Sequence, residues 1–178
     1  MMKTKYYPAL ALASILSLTA CSDEKDTSNA TPAKEDSALT ALVLKEEPAE
    51  AVDIADLRTS AKPGDEVTFA GKVIGSMNVF MDGRAVMILG DPKKLTSCDL
   101  NPDDQCETPW DVCCDDPEVI KDSIVTVQAV DDAGKPVKEG FKGLAGMKEL
   151  SSVVIKGEVA DGSTDANMVV NATGIFVK

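Results

Sequence analysis

The sequence predicts a small, mainly β domain built from five strands. Residues 51–178 contain five short segments in which β-branched and apolar residues alternate with polar ones or form a continuous run. Turn signals such as Asp82-Gly83 and Asp161-Gly162 separate these segments. The stretch has the ordinary size of one domain, and the chain shows no internal repeat.

The five predicted strands follow one another with one longer connection between the third and the fourth. They are Glu66–Gly75, Arg84–Gly90, Ser123–Val130, Val153–Val159 and Asn167–Val177. Ahead of them, Ala51–Arg58 predicts a short helix with Asp53 as its N-cap. Residues 136–150 hold three glycines, which predicts a short helix or none between strands three and four.

Glycines inside three of these strands indicate a closed barrel. Gly71, Gly157 and Gly174 interrupt β-branched runs, and a small barrel needs glycine where a strand bends sharply or takes a bulge. The strand order and these glycines resemble the OB-fold, a five-stranded Greek-key barrel. The last two predicted strands look like the closing pair of that fold. A β-sandwich with a similar number of strands is the alternative.

The first twenty residues predict an export signal. Lys3 and Lys5 precede the apolar run Ala9–Leu18, which is shorter than the about 20 residues needed to span a bilayer. The ending Leu18-Thr19-Ala20-Cys21 resembles the lipobox of bacterial lipoproteins, which are cut before the cysteine and lipidated on it. The resemblance implies a membrane anchor on Cys21. In lipoproteins of well-studied double-membraned bacteria an aspartate after the cysteine favours the inner membrane, so the resemblance implies the outer membrane for this chain, which has Ser22 there. An ordinary secretory signal with a chance cysteine is the alternative.

The chain therefore divides into three parts. Residues 1–20 are the predicted signal peptide, and residues 21–50 are the lipidated cysteine with a disordered tether. The tether is predicted because this segment is polar, rich in Ala, and lacks aromatic residues. Residues 51–178 form the OB-like domain.

Charge and composition limit the function. The formal charge is −12, and it becomes −14 when Lys3 and Lys5 leave with the signal, which disfavours nucleic acid. The chain has no histidine, which excludes Ser-His-Asp and Cys-His catalysis and His-ligated metals. We therefore expect a binding or structural module of the cell envelope rather than an enzyme. Its partner would be an envelope protein, a glycan or a cation. An OB-type oligonucleotide binder and a divalent-cation-binding domain are the alternatives.

A cysteine-rich loop is the most distinctive segment. Residues 91–118 read DPKKLTSCDLNPDDQCETPWDVCCDDPE and carry nine acidic residues together with Cys98, Cys106, Cys113 and Cys114. In an exported domain, four cysteines predict two disulfides. Bonds from Cys98 and Cys106 to the adjacent pair are favoured, in either order. A Cys₄ zinc site is the rival, although the spacing C-x7-C-x6-CC differs from two CxxC pairs.

The same loop contains a partial calcium motif. Asp99, Asn101, Asp103 and Glu107 have the oxygen spacing of an EF-hand loop. The match fails at the sixth and twelfth positions, where Asp104 and Trp110 replace glycine and glutamate. We therefore expect a solvated acidic loop and no cofactor there, and a calcium or magnesium site of a different kind is the alternative.

Thr108–Cys114 resembles a TPWD-aromatic-CC signature of small exported proteins from planctomycete-type bacteria. There, too, it follows a strand resembling GRAVMILGDP and precedes an OB-like second half. The resemblance covers most of residues 51–178 and implies the same fold, but it implies no activity. Val112 stands where the family has an aromatic residue. Trp110 is predicted to cover one end of the barrel with a local bond to its indole N–H. A surface contact with a ligand is the alternative.

Overall fold

The computed structural model describes residues 37–101 and 106–178, and this part of the chain is mainly β. Its six strands form one sheet that closes on itself. The described residues form two α-helices. The elements are β1 (Val52–Asp53), α1 (Ile54–Ser60), β2 (Glu66–Lys72), β3 (Val86–Gly90), α2 (Pro117–Ser123), β4 (Ile124–Gln128), β5 (Ser152–Val159) and β6 (Val169–Val177).

Five of these strands make a closed barrel with the strand order of an OB-fold. The ring runs β2-β3-β4-β6-β5, and β2 pairs with β5 to complete it. Every pair in the ring is antiparallel except β4 with β6, which are parallel. The short strand β1 adds parallel to β2 outside the ring. The predicted OB-like barrel is confirmed.

The strand glycines lie where other groups approach the backbone closely. Gly157 follows a register shift between β5 and β6, and a Cβ there would lie 2.4 Å from the Asn171 carbonyl oxygen. A Cβ on Gly71 would lie 2.8 Å from the Ile54 side chain. These contacts explain why glycine occupies positions in the middle of strands.

The barrel interior is filled by one apolar cluster, and a smaller cluster lies under the cysteine-rich loop. The main cluster includes Phe69, Met87 and Ile155, and helix α1 adds Ile54 and Leu57 to it. The smaller cluster is formed by Ile74, Leu95 and Val112. The loop is therefore held on the barrel by its own apolar contacts.

Three local predictions need correction. Helix α1 begins after Asp53 as expected, but the Asp53 side chain forms no cap hydrogen bond. Residues 91–118 were predicted to be a loop throughout, whereas helix α2 begins at Pro117. Strand β2 ends at Lys72 and β3 begins at Val86, so both are shorter than predicted. Between β4 and β5 the structure has only the 3-10 turn Leu144–Gly146, as the glycines there predict.

The predicted domain boundary at residue 51 is also wrong. Leu39 is 1 % exposed and belongs to the barrel core. The Leu44 N–H donates to the Ile175 carbonyl at 2.8 Å, and Lys178 forms an ion pair with Glu47 at 2.6 Å. Residues 37–50 are therefore part of the folded domain and not a tether. The predicted signal and Cys21 lie outside the described residues.

No helix in the described part of the chain has both the length and the apolar character needed to cross a bilayer.

Candidate functional site

The two arms of the cysteine-rich loop bind each other through the backbone. The Cys98 N–H donates to the Asp111 carbonyl at 2.9 Å, and the Asp99 N–H donates to the Pro109 carbonyl at 2.8 Å. The Asp115 carboxylate accepts the Thr96 N–H at 2.7 Å. These bonds bring segments 96–99 and 109–115 side by side.

Trp110 joins this loop to the barrel. Its carbonyl accepts the Gly75 N–H at 3.2 Å, and its indole N–H donates to the Met77 carbonyl at 2.9 Å. The ring is partly buried and packs against both apolar clusters. These contacts give Trp110 a structural role, and contact with a ligand stays a prediction.

Lys72 at the end of β2 holds the turn that carries Cys98. Its ammonium lies 3.4 Å from the Asp99 carboxylate and 3.5 Å from the Ser97 hydroxyl. The second oxygen of Asp99 accepts a hydrogen bond from the buried Ser97 hydroxyl. The Asp99 side chain is thus bound by groups of the protein itself.

The structure does not describe all four of the predicted calcium ligands. Asp99 faces Lys72, whose positive charge opposes a cation. Asn101 and Glu107 are exposed, and Asp103 lies outside the described residues. The calcium site stays a prediction.

Three cysteine sulfurs meet at one point of the loop. The Sγ atoms of Cys98, Cys106 and Cys113 all lie within 4.8 Å of one another. Cys98 is buried, Cys106 is half-buried and Cys113 is exposed. No disulfide joins two of the cysteines in the described residues. The predicted disulfides therefore stay a prediction, whereas the proximity of these sulfurs is a feature of the structure.

Neighbouring groups shift the pKa values of two of these thiols in opposite directions. The Thr108 hydroxyl, 3.8 Å from the Cys106 sulfur, and the Thr108 backbone lower the pKa of Cys106. The adjacent Cys114 thiol raises the pKa of Cys113 through a hydrogen bond between them. Cys114 is thus next to the three-sulfur group without belonging to it.

Sequence reasoning missed the role of Asp91, which fixes the start of the loop. This carboxylate is buried and accepts the Ala55 N–H of helix α1 at 3.0 Å and the Lys93 N–H at 2.9 Å. The Lys93 ammonium binds Asp53 at 2.7 Å, and this hydrogen bond raises the pKa of Lys93. The sequence signal that could have revealed this role is an aspartate placed between an apolar strand and a proline.

A second candidate site lies on the outer side of β3 and β4. Here a hollow of about 490 Å³ is bordered by residues 78–82, by β3 and by Thr126. The Ile88 N–H donates to the Val79 carbonyl at 2.8 Å and the Met81 N–H donates to the Val86 carbonyl at 3.0 Å. Residues 79–81 therefore extend the sheet beyond β3.

The lining of this hollow is mostly apolar and has little charge. It consists of Asn78, Val79, Phe80, Met81, Asp82, Val86, Met87, Ile88 and Thr126. None of these residues is basic. Sequence patterns did not predict this site because residues 78–82 carry no recognisable motif and Thr126 joins them only through the pairing of β4 with β3.

Comparison with family models, with curated proteins and with solved structures gives no match. The fold and the two candidate sites define the chain as an OB-like barrel with a cysteine-rich loop on its surface.

Proposed function

We propose that this protein is a lipid-anchored binding module of the bacterial cell envelope. Its ligand would be an extended peptide segment of another envelope protein, bound on the outer side of β3 and β4. The observation that carries the proposal is the apolar, non-basic hollow bordered by residues 78–82 and β3.

The position of the hollow supports a binding role. In OB-folds, ligands lie on the face of the second and third barrel strands and against the loop between the first and second. Strands β3 and β4 are the second and third strands of this barrel, and residues 78–82 belong to the loop between its first two strands. The volume is within the range of about 300–1,000 Å³ common for ligand sites.

The backbone beside the hollow favours an extended peptide as the ligand. Val79 and Met81 use their backbone groups to bind β3. Because such groups alternate along an extended chain, the N–H and C=O of Phe80 point away from β3. We infer that these two groups are where an added peptide strand pairs, since backbone groups at the edge of a sheet bind peptides in this way. Met81 is 53 % exposed, and methionine adapts to ligand side chains of different shape.

The charge of the site argues against nucleic acid. Single-stranded nucleic acid needs a basic groove with several stacking aromatic residues. The lining offers Phe80 as its one aromatic residue and Asp82 as its charged residue. The oligonucleotide alternative therefore has less support than a peptide ligand.

The membrane anchor is tested by Cys21→Ser. If Cys21 is lipidated, the variant should lose fatty-acid labelling and accumulate as uncut precursor. Processing at residue 20 in the variant, together with no lipid on the natural chain, would contradict the anchor.

The binding site is tested with peptides selected from a random decapeptide library on the full chain carrying Cys21→Ser. Met81→Glu places a charge in the hollow and should weaken binding of the selected peptides by about tenfold or more, equivalent to about 1.4 kcal/mol. Met77→Glu is the matched control, because Met77 is 61 % exposed and does not line the hollow. Its affinities should stay within about twofold, a change of only about 0.4 kcal/mol.

Two results would contradict the peptide site. One is equal binding of the selected peptides to both glutamate variants. The other is a library that yields no binder while single-stranded DNA or a neutral oligosaccharide binds and is lost on Met81→Glu.

A further inference from the structure

The three-sulfur group of the loop lies apart from the proposed peptide site and has its own chemistry. Its members come from three separate points of the chain, at Cys98, Cys106 and Cys113. The backbone bonds between the two arms place Cys98 opposite Asp111, two residues before Cys113. The loop therefore gathers three thiols that are eight and seven residues apart in the sequence.

We propose that the reduced loop binds one thiophilic metal ion, of the Zn²⁺ or Cu⁺ class, through the sulfurs of Cys98, Cys106 and Cys113. Each thiol loses its proton to solvent when its sulfur binds the ion. The ion keeps its oxidation state, so the step needs no oxidant or reductant.

The distances between the sulfurs fit such an ion. A zinc–sulfur bond of about 2.3 Å places two thiolates about 3.8 Å apart in tetrahedral geometry and about 4.0 Å apart in trigonal geometry. The three Sγ atoms already lie within 4.8 Å of one another. Small rotations of the side chains would complete the site, with a fourth position open to water.

The ligand type selects the class of metal. The group consists of sulfur alone, without a carboxylate oxygen, and the chain contains no histidine. Thiolates prefer Cu⁺ and Zn²⁺, whereas Ca²⁺ and Mg²⁺ prefer oxygen. The nine acidic residues between 91 and 118 add a negative potential that attracts cations.

The surroundings of the sulfurs hold them in place. Cys98 is 7 % exposed, and its turn is fixed to the barrel through Asp99 and Lys72. Cys113 follows Val112, which is buried in the small apolar cluster. Thr108 contacts the Cys106 sulfur and would act as an outer-shell partner. The exposed side of Cys113 gives an ion access from solvent.

Metal binding and disulfide formation exclude each other for these sulfurs. Three sulfurs can form one disulfide among themselves, and the second predicted disulfide requires Cys114. A chain with two disulfides has no thiolate left to bind an ion. The metal site predicts bound ion and reduced cysteines, whereas the sequence-based prediction gives two disulfides and no bound ion. One sample therefore distinguishes the two.

The first experiment titrates the full chain carrying Cys21→Ser, reduced and kept free of oxygen. Zn²⁺ is added against a chromophoric chelator, and Cu⁺ is added in a parallel titration. We expect one equivalent of at least one ion to bind and to protect three thiols from alkylation. Cys106→Ser should weaken that affinity by more than about a hundredfold, beyond the effect typical of an outer-shell change.

Cys114→Ser is the matched control, because its sulfur lies outside the group of three. It should retain one equivalent of ion and change the affinity by less than about tenfold, that is by less than about 1.4 kcal/mol. Equal urea midpoints of the metal-free variants exclude misfolding as the cause of a difference. Failure of both ions to bind, or equal loss in Cys114→Ser and Cys106→Ser, would overturn the three-sulfur site.

The second experiment isolates the full chain from membranes without reductant and without oxygen. Bound metal in a chain whose mass, after removal of the metal, equals that of the fully reduced chain supports the proposal. A mass about four hydrogens below the reduced value, two for each bond, with no bound metal would overturn metal binding as the natural state of the loop.

Discussion

At the scale of single residues, Gly157 shows how tightly the barrel closes. It follows the register shift between β5 and β6, where the Asn171 carbonyl oxygen and the Val170 side chain occupy the space of a Cβ. A glycine within a β-branched run was visible in the sequence. The identity of the atoms that approach it was not, because they belong to another strand.

Gly157→Ala should destabilise the domain. The new Cβ would lie 2.4 Å from the Asn171 oxygen and 2.7 Å from a Val170 methyl group, so the two closing strands must separate. We expect a loss of about 1–3 kcal/mol, the usual cost of overpacking, measured by urea unfolding of the full chain. Gly140→Ala is the control because its Cβ would meet no atom within 4 Å. Equal midpoints for the two variants would contradict this account.

At the scale of elements, alternation predicted the strands better than it predicted the segments between them. The core of each barrel strand was found because its apolar side chains either alternate with polar ones or form a continuous run of strand length. Strand β1 was missed because its two residues are set by pairing with β2. Helix α2 was missed because it has seven residues in an acidic segment, although Asp116 before Pro117 is a typical helix start.

The connection between β4 and β5 depends on two buried side chains and an ion pair. Phe141 and Met147 enter the core, and the turn between them uses Gly143 and Gly146 with positive φ. Lys142 closes this turn by binding Glu149 at 2.5 Å. Burial of the Glu149 carboxyl acts to raise its pKa, but the hydrogen bond from Lys142 and a backbone hydrogen bond outweigh it and lower the pKa overall.

Glu149→Gln should reduce stability in a pH-dependent way. Because the pKa is lowered in the folded chain, the contribution of Glu149 is present above its ordinary value of 4.5 and is lost as the pH falls through the folded value. The Lys142 side chain of this ion pair is 60 % exposed. The free energy of unfolding lost at pH 7 should therefore be less than about 1 kcal/mol.

The measurement is urea unfolding of the full chain from pH 7 to pH 3. The difference between the natural chain and Glu149→Gln should shrink as the pH falls. Glu158→Gln, at an exposed position on β5, is the control. A difference that stays constant down to pH 3 would show that the substitution acts through packing and not through charge.

At the scale of the whole molecule, the folded domain begins earlier than composition suggests. Residues 21–50 are polar as a whole, yet within them Leu39 enters the core and Leu44 lies over Gly174, 2.9 Å from the position of a Cβ there. The apolar run at residues 38–44 is too short to reveal by its period that it belongs to the barrel. The sequence indicated that the cysteines of the loop approach one another, because the predicted disulfides and the zinc alternative both require it, and three of the sulfurs do lie together. The hollow beside β3 was not foreseen.

Leu39→Ala tests whether this segment contributes to stability. Removing a buried leucine side chain should cost about 2–4 kcal/mol, measured by urea unfolding of the full chain. Leu100→Ala is the matched control, because Leu100 is 61 % exposed, and it should change stability by less than about 0.5 kcal/mol. An unchanged midpoint for Leu39→Ala would mean that residues 37–50 do not stabilise the barrel.

The contact between Leu44 and the last strand has a consequence for the order of synthesis. A ribosome delivers Leu44 long before Ile175, the residue whose carbonyl accepts its N–H. The parallel pairing of β4 with β6 must also wait for the end of the chain. Distant pairings of this kind slow folding, since the entropy of loop closure is spent before the contacts form. The surface that receives Leu44 is therefore incomplete until the final residues emerge, and a chain that ends before Val169 lacks β6, the strand that joins β4 to β5 in the ring.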